Sequence, residues 1–81
     1  MTDILARRND ACAATILITI NGEAHRVAGG LSIAQLVQAL GFNPKKVAVE
    51  RNMEIVPRST LADVFLADGD MLEIVHFVGG G

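Results

Sequence analysis

The run VHFVGGG, Val75 to Gly81, closes on three glycines, and the one reactive group it presents is the α-carboxylate of Gly81. That carboxylate is ionised at pH 7, because its pKa lies near about 3.5. It becomes an acyl donor only after phosphoryl or adenylyl transfer turns one oxygen into part of a leaving group. Glycines lose more backbone entropy on ordering than other residues and add no side chain to a core. Extended, Gly79, Gly80 and Gly81 are thin enough for a narrow channel and reach about 10 Å at roughly 3.3 to 3.6 Å per residue. The residue types fit a tail that carries a carboxylate into another protein's active site, where that protein supplies the nucleotide. On the glycines alone, an unstructured end or linker is the competing reading.

No other stretch carries comparable chemistry. His25 and His76 are the only histidines and sit among strand residues, where a histidine is more often a surface or hydrogen-bonded side chain than a base. Neither a phosphate-binding G-x-x-x-x-G-K-[ST] loop nor a dinucleotide-binding G-x-G-x-x-G turn occurs. Asp68 and Asp70 flank Gly69, where aspartates serve the turn itself, so no metal ligation is expected. Lys45 and Lys46 read as a solvated loop, and Cys12, the only cysteine, as an incidental thiol with no assigned role. The chain is not expected to be an enzyme or to hold a cofactor.

Composition limits the partners further. With 81 residues, the chain makes at most one domain, near the lower size for a core without disulfides or metals. A single cysteine excludes an internal disulfide and fits a reducing compartment. An apolar fraction of 51% against 20% charged residues is the balance of a folded chain. The net charge of −2, with seven scattered Lys and Arg residues, gives no field for a phosphate backbone. Nucleic acid is therefore not expected as a partner. No window approaches the roughly 18 apolar residues of a membrane span, and the N-terminal stretch lacks a signal-peptide core, so a cytoplasmic location is expected.

The elements that must hold the tail follow in order. In TILITI, Ile16, Ile18 and Ile20 alternate with Leu17 and Thr19, the period of a half-buried strand. Asn21-Gly22 fits a type I′ turn and predicts an antiparallel return over Glu23 to Ala28. In LSIAQLVQALGF, Ser32 with Gln35 forms a capping box, and Leu31 before it can staple against Leu36. Ile33, Leu36, Val37 and Leu40 then form one apolar stripe, and Gly41 closes the helix ahead of Phe42 and Pro44. KKVAVERN and MEIVP read as two short strands around Arg51 to Met53, with Pro57 marking an edge. STLADVFLADGD predicts a short helical turn from Ser59 or Thr60, with Leu61, Val64 and Phe65 inward, and then a turn at Asp68 to Asp70. The last strand runs from Met71 to Val78, with Leu72 and Ile74 inward, so that Val75 and Phe77 project from the face one helix leaves bare and form a candidate partner face. This order is α+β, a mixed sheet of four to five strands packed on one main helix, and matches the ubiquitin-like β-grasp. The expected division is a flexible leader over 1–14, a domain over 15–78 and a flexible glycine tail over 79–81.

The stretch from Val47 to Gly81 contains AVERN, EIVPR, DGD and a final VGGG at intervals that resemble the ThiS family, the sulfur carriers of thiamine thiazole biosynthesis. The resemblance covers Thr15 to Gly81 and is most specific in its second half; the leader departs from the family pattern. It implies that the first and last domain strands pair in parallel at the sheet centre. It further implies that a ubiquitin-activating-type enzyme uses ATP to adenylate Gly81. Cysteine-derived sulfur then gives a terminal thiocarboxylate, which thiazole synthase consumes. Gly80, Gly79 and Val78 would be read as the tail, with Phe77 and Val75 as docking surface. The small subunit of molybdopterin synthase, a ubiquitin-like modifier and a non-covalent adaptor are the alternatives.

Overall fold

The computed structural model describes residues 2–4 and 15–77. Val78, Gly79, Gly80 and Gly81 lie outside the described residues, as do Cys12 and the remainder of the leader.

Strand β2 (Thr15–Ile20) and strand β3 (Glu23–Ala28) form the expected antiparallel hairpin, with Ile18 opposite His25 and Ile20 opposite Glu23. Its turn holds Asn21 at φ 50° and Gly22 at φ 86°, the left-handed pair a type I′ turn requires. Helix α1 (Ile33–Ala39) carries the complete capping box: Gln35 N–H donates to the Ser32 hydroxyl at 3.1 Å, and Ser32 N–H donates to Gln35 Oε1 at 2.9 Å. Its end is equally well specified. Gly41 takes φ 93°, Gly41 N–H reaches Gln38 O and Phe42 N–H reaches Val37 O, both at 3.0 Å, the paired bonds of a Schellman closure.

Strand β4 (Val47–Arg51) pairs antiparallel with the short edge strand β5 (Glu54–Val56), and β4 also pairs with β6 (Met71–His76). Strand β6 lies parallel to β2, Thr19 opposite Met71 and Ile20 opposite Leu72, which is the central pairing implied by the resemblance. The covered face of the sheet contributes Ile18, Ile20, Val27, Val47, Val49, Leu72 and Ile74 to the core, and α1 contributes Ile33, Leu36 and Val37. The three helix residues have no exposed surface. Each stabilises the fold by about 1.5 to 3 kcal/mol relative to an exposed position. No helix among the described residues is long and apolar enough to cross a membrane.

Three expectations need correction. The leader does not lack structure throughout: Thr2–Ile4 forms strand β1, parallel to β3, making the sheet six-stranded in the order β1-β3-β2-β6-β4-β5. Its three residues are too few to show a period, so the leader's polar composition concealed it. Phe65 does not point inward but is 55% exposed, and Leu66 occupies the core instead. The short turn is a 3-10 helix over Arg58–Thr60. Turns continue through Asp63, and the chain is then extended where Ser32 bridges to Phe65, with Leu66 N–H on Leu31 O at 2.9 Å. Extended neighbours point to opposite sides, so the inward Leu66 drives Phe65 outward. His25 is neither a surface nor a satisfied side chain. It shares the covered face with Val27, is 8% exposed, and its buried Nδ1 has no hydrogen-bond partner among the described residues. Its Nε2 lies 3.6 Å from Glu23 Oε1.

Candidate functional site: the last strand and the root of the tail

Strand β6 leads directly into the glycine tail, so whatever fixes β6 aims the tail. Two turn asparagines do this with their side chains. Asn21 Oδ1 accepts from Ile74 N–H at 2.8 Å, and its Nδ2 donates to Ile74 O at 3.2 Å. Its own N–H donates to Leu72 O at 2.8 Å. The amide thus imitates one more strand residue and lengthens a parallel pairing that otherwise spans two residue pairs. On the opposite side, Asn52 Oδ1 accepts from Met71 N–H at 2.9 Å, and Asn52 N–H donates to Met71 O at 2.7 Å.

Asp70, 5% exposed, anchors the start of the strand. Its Oδ2 accepts from Ala67 N–H at 2.8 Å, and its Oδ1 accepts from Asn52 Nδ2 at 3.2 Å. Arg51 Nε approaches Oδ2 to 3.1 Å without the alignment of a hydrogen bond, so this is an ion pair by proximity. Asp68 reaches outside its own turn, accepting from Leu17 N–H of β2 at 2.8 Å. Asp70 therefore serves the turn, as its spacing suggested, and also neutralises a cation, whereas Asp68 ties the turn to β2.

The far end of β6 is fastened differently. Phe77 N–H donates to Lys46 O at 2.8 Å, and His76 stacks on Phe42 with ring centroids 4.7 Å apart. Arg58 lies over the Phe77 ring, 5.6 Å from its centroid, while its Nη1 donates to Lys45 O at 3.1 Å. Lys45 and Lys46 hold this corner through their carbonyls, and their side chains are exposed. A hollow of about 410 Å³ opens beside Arg58 on the helix side, lined by Ala34, Pro44, Lys45 and Leu61 among others.

The candidate partner face can now be placed. Val75 is 58% exposed and Phe77 45% exposed. Val75 joins Met71, Leu17 and Ile55 on the open side of the sheet, opposite the helix. The tail residues Val78, Gly79, Gly80 and Gly81 lie outside the described residues. Sequence reasoning missed Asn52 and Arg58, whose roles depend on neighbours distant in the chain.

A six-stranded mixed sheet, one covering helix and parallel central strands that include the C-terminal one define a ubiquitin-like β-grasp domain. The chain belongs to the ThiS family, whose model matches residues 18–81. It is 46% identical over 50 residues to the sulfur carrier protein ThiS of Bacillus subtilis, covering 62% of this chain and 76% of that one. The crystal structure of the thiamine biosynthesis protein ThiS from Geobacter metallireducens is similar, with TM-score 0.67 and 33% identity, covering 82% of this chain and all of that one. The chain is also 48% identical over 64 residues to the thiazole synthase of Magnetococcus marinus. That match covers 79% of this chain but spans only a fifth, 20%, of that relative's length.

Proposed function

We propose that this protein is a sulfur carrier for thiamine thiazole formation, with Gly81 as the loaded residue. The observation that carries this reading is that the family match extends from Ile18, within the first domain strand, to Gly81, so the glycine tail falls inside the matched span. In the first step a Gly81 carboxylate oxygen attacks the α-phosphorus of ATP on an adenylating enzyme of the ubiquitin-activating type, and pyrophosphate leaves. Sulfide-level sulfur, released from a cysteine-derived persulfide by a thiol reductant, then attacks the acyl carbon, AMP departs with the carboxylate oxygen, and a thiocarboxylate remains. The carrier holds no cofactor of its own; ATP belongs to the partner.

Thiazole synthase is the acceptor that the relatives support. In Magnetococcus marinus a segment similar to this chain lies within a protein of that name, which supports a shared task for carrier and acceptor. The same observation favours thiazole formation over the molybdopterin alternative. Sulfur is a softer and stronger nucleophile than the carboxylate oxygen it replaces. A tail reaching about 10 Å beyond the fold can present it in two active sites in turn without release.

The test is the intact mass of the purified protein after incubation with ATP, the adenylating enzyme, a cysteine desulfurase, cysteine and a thiol reductant, with the C-terminal peptide sequenced by fragmentation. A gain equal to sulfur in place of oxygen at Gly81 is expected. An unchanged mass with active enzymes would rule the carrier reading out.

A further inference from the structure

The dipeptide that turns the first hairpin, Asn21-Gly22, is also chemically labile. An asparagine followed by glycine cyclises readily: the main-chain nitrogen of the glycine attacks the side-chain amide carbon, and no Cβ obstructs its approach. Both residues are exposed, and a Cβ built on Gly22 would meet nothing within 4 Å. Water therefore reaches the turn freely. The other described asparagines are poorer candidates. Asn43 precedes Pro44, whose nitrogen carries no hydrogen, and Asn52 precedes the bulkier Met53.

In the folded chain the amide of Asn21 is held by β6. Ile74 N–H donates to its Oδ1 at 2.8 Å, and its Nδ2 donates to Ile74 O at 3.2 Å, so both polar atoms face Ile74 and the amide plane is fixed. Ring closure needs the amide carbon turned toward Gly22 N, which breaks both bonds and moves the turn away from φ 50° and 86°. We infer that Asn21 is a deamidation site guarded by its own clamp, inert while β2 and β6 are paired and reactive whenever that pairing opens. In the reaction Gly22 N bonds to Asn21 Cγ, the Cγ–Nδ2 bond breaks, and ammonia leaves with the proton that Gly22 N gives up. Water then opens the cyclic imide. Attack at Cγ yields aspartate, attack at the main-chain carbonyl yields isoaspartate, and neither route needs an oxidant or reductant.

The product cannot rebuild the clamp. Either carboxylate lacks the donor for Ile74 O, and isoaspartate adds a methylene to the main chain between β2 and β3. The parallel contact then falls back on Thr19 with Met71 and Ile20 with Leu72. One opening event thus leaves a permanent mark beside the last strand. The inference stands apart from the loading of Gly81 and needs no partner protein.

The experiment incubates the full chain at mildly basic pH, folded and in denaturing urea. Peptide mapping follows the gain of a hydroxyl in place of an amino group at Asn21, an isoaspartyl methyltransferase counts isoaspartate, and hydrogen exchange at Ile74 N–H measures opening on the same samples. Deamidation should be fast in urea and roughly tenfold or more slower in the folded chain, since it must wait for local opening. Ile74→Val keeps the backbone partners of the clamp but thins the packing of β6, and should raise folded-state deamidation by about 2- to 10-fold with no change in the denatured rate. Across that variant and a series of urea concentrations below the unfolding transition, deamidation and Ile74 exchange should rise together. Equal rates in the folded and denatured chain would overturn the guard, and an Asn21 that stays intact in denaturing urea would overturn the site. Exchange at Ile74 that rises along the urea series without faster deamidation would overturn the link between them.

Discussion

Asn21 combines two demands that no other side chain meets equally well. Its backbone sits at φ 50°, a region that costs most L-residues roughly 1 to 2 kcal/mol but which asparagine tolerates. Its amide donates to and accepts from the same residue, Ile74. Asn21→Ala loses both bonds and the tolerance, so a loss of about 2 to 3 kcal/mol is expected in urea denaturation. Asn21→Asp keeps the acceptor for Ile74 N–H and lacks the donor, and its midpoint should fall between the two. Asn-Gly made the turn legible in the sequence, yet the clamp was not. Its partner lies 53 residues away, and local patterning holds no information at that distance. Asn52 escaped notice for the same reason, and Phe65 was misplaced because a helical period was extended past a one-turn helix.

Among the elements, those built from near neighbours were read correctly. The capping box, the Schellman closure and the alternation of TILITI each involve residues within a few positions, and the structure reproduces all three. The hairpin between β4 and β5 differs, since its turn uses Asn52 at φ 52° and Met53 at φ 73°. A methionine in that region is strained, and Met53 is 82% exposed, so little packing offsets the strain. Met53→Gly should raise stability by about 0.5 to 1 kcal/mol, the left-handed penalty less the entropy glycine adds to the unfolded chain. Chemical denaturation measures this directly.

For the whole molecule, the consequence of β1 is protection of an edge. Strand β3 would otherwise border the sheet, and an uncovered edge offers unpaired backbone groups to a second chain. Removal of residues 1–14 should leave a folded domain, because twelve buried apolar residues of the later elements already form one core cluster. The shortened chain should associate more readily at high concentration, as light scattering would show; a strictly monomeric truncated chain would deny β1 this role.

The parallel contact between β2 and β6 carries a mechanical meaning. A partner that grips the tail pulls on β6, and β6 is central, flanked by β2 and β4. Tension from the tail, opposed at the start of β2, runs along neighbouring parallel strands, so it must slide them past each other and break their bonds together instead of peeling one after another. The asparagine amide of Asn21 adds two bonds to that set. The chain beyond β6 is therefore tethered to a line through the fold that resists force by shear. An enzyme can draw the last residues deep into a channel, or a protein-unfolding machine can seize them, while the domain behind holds its shape.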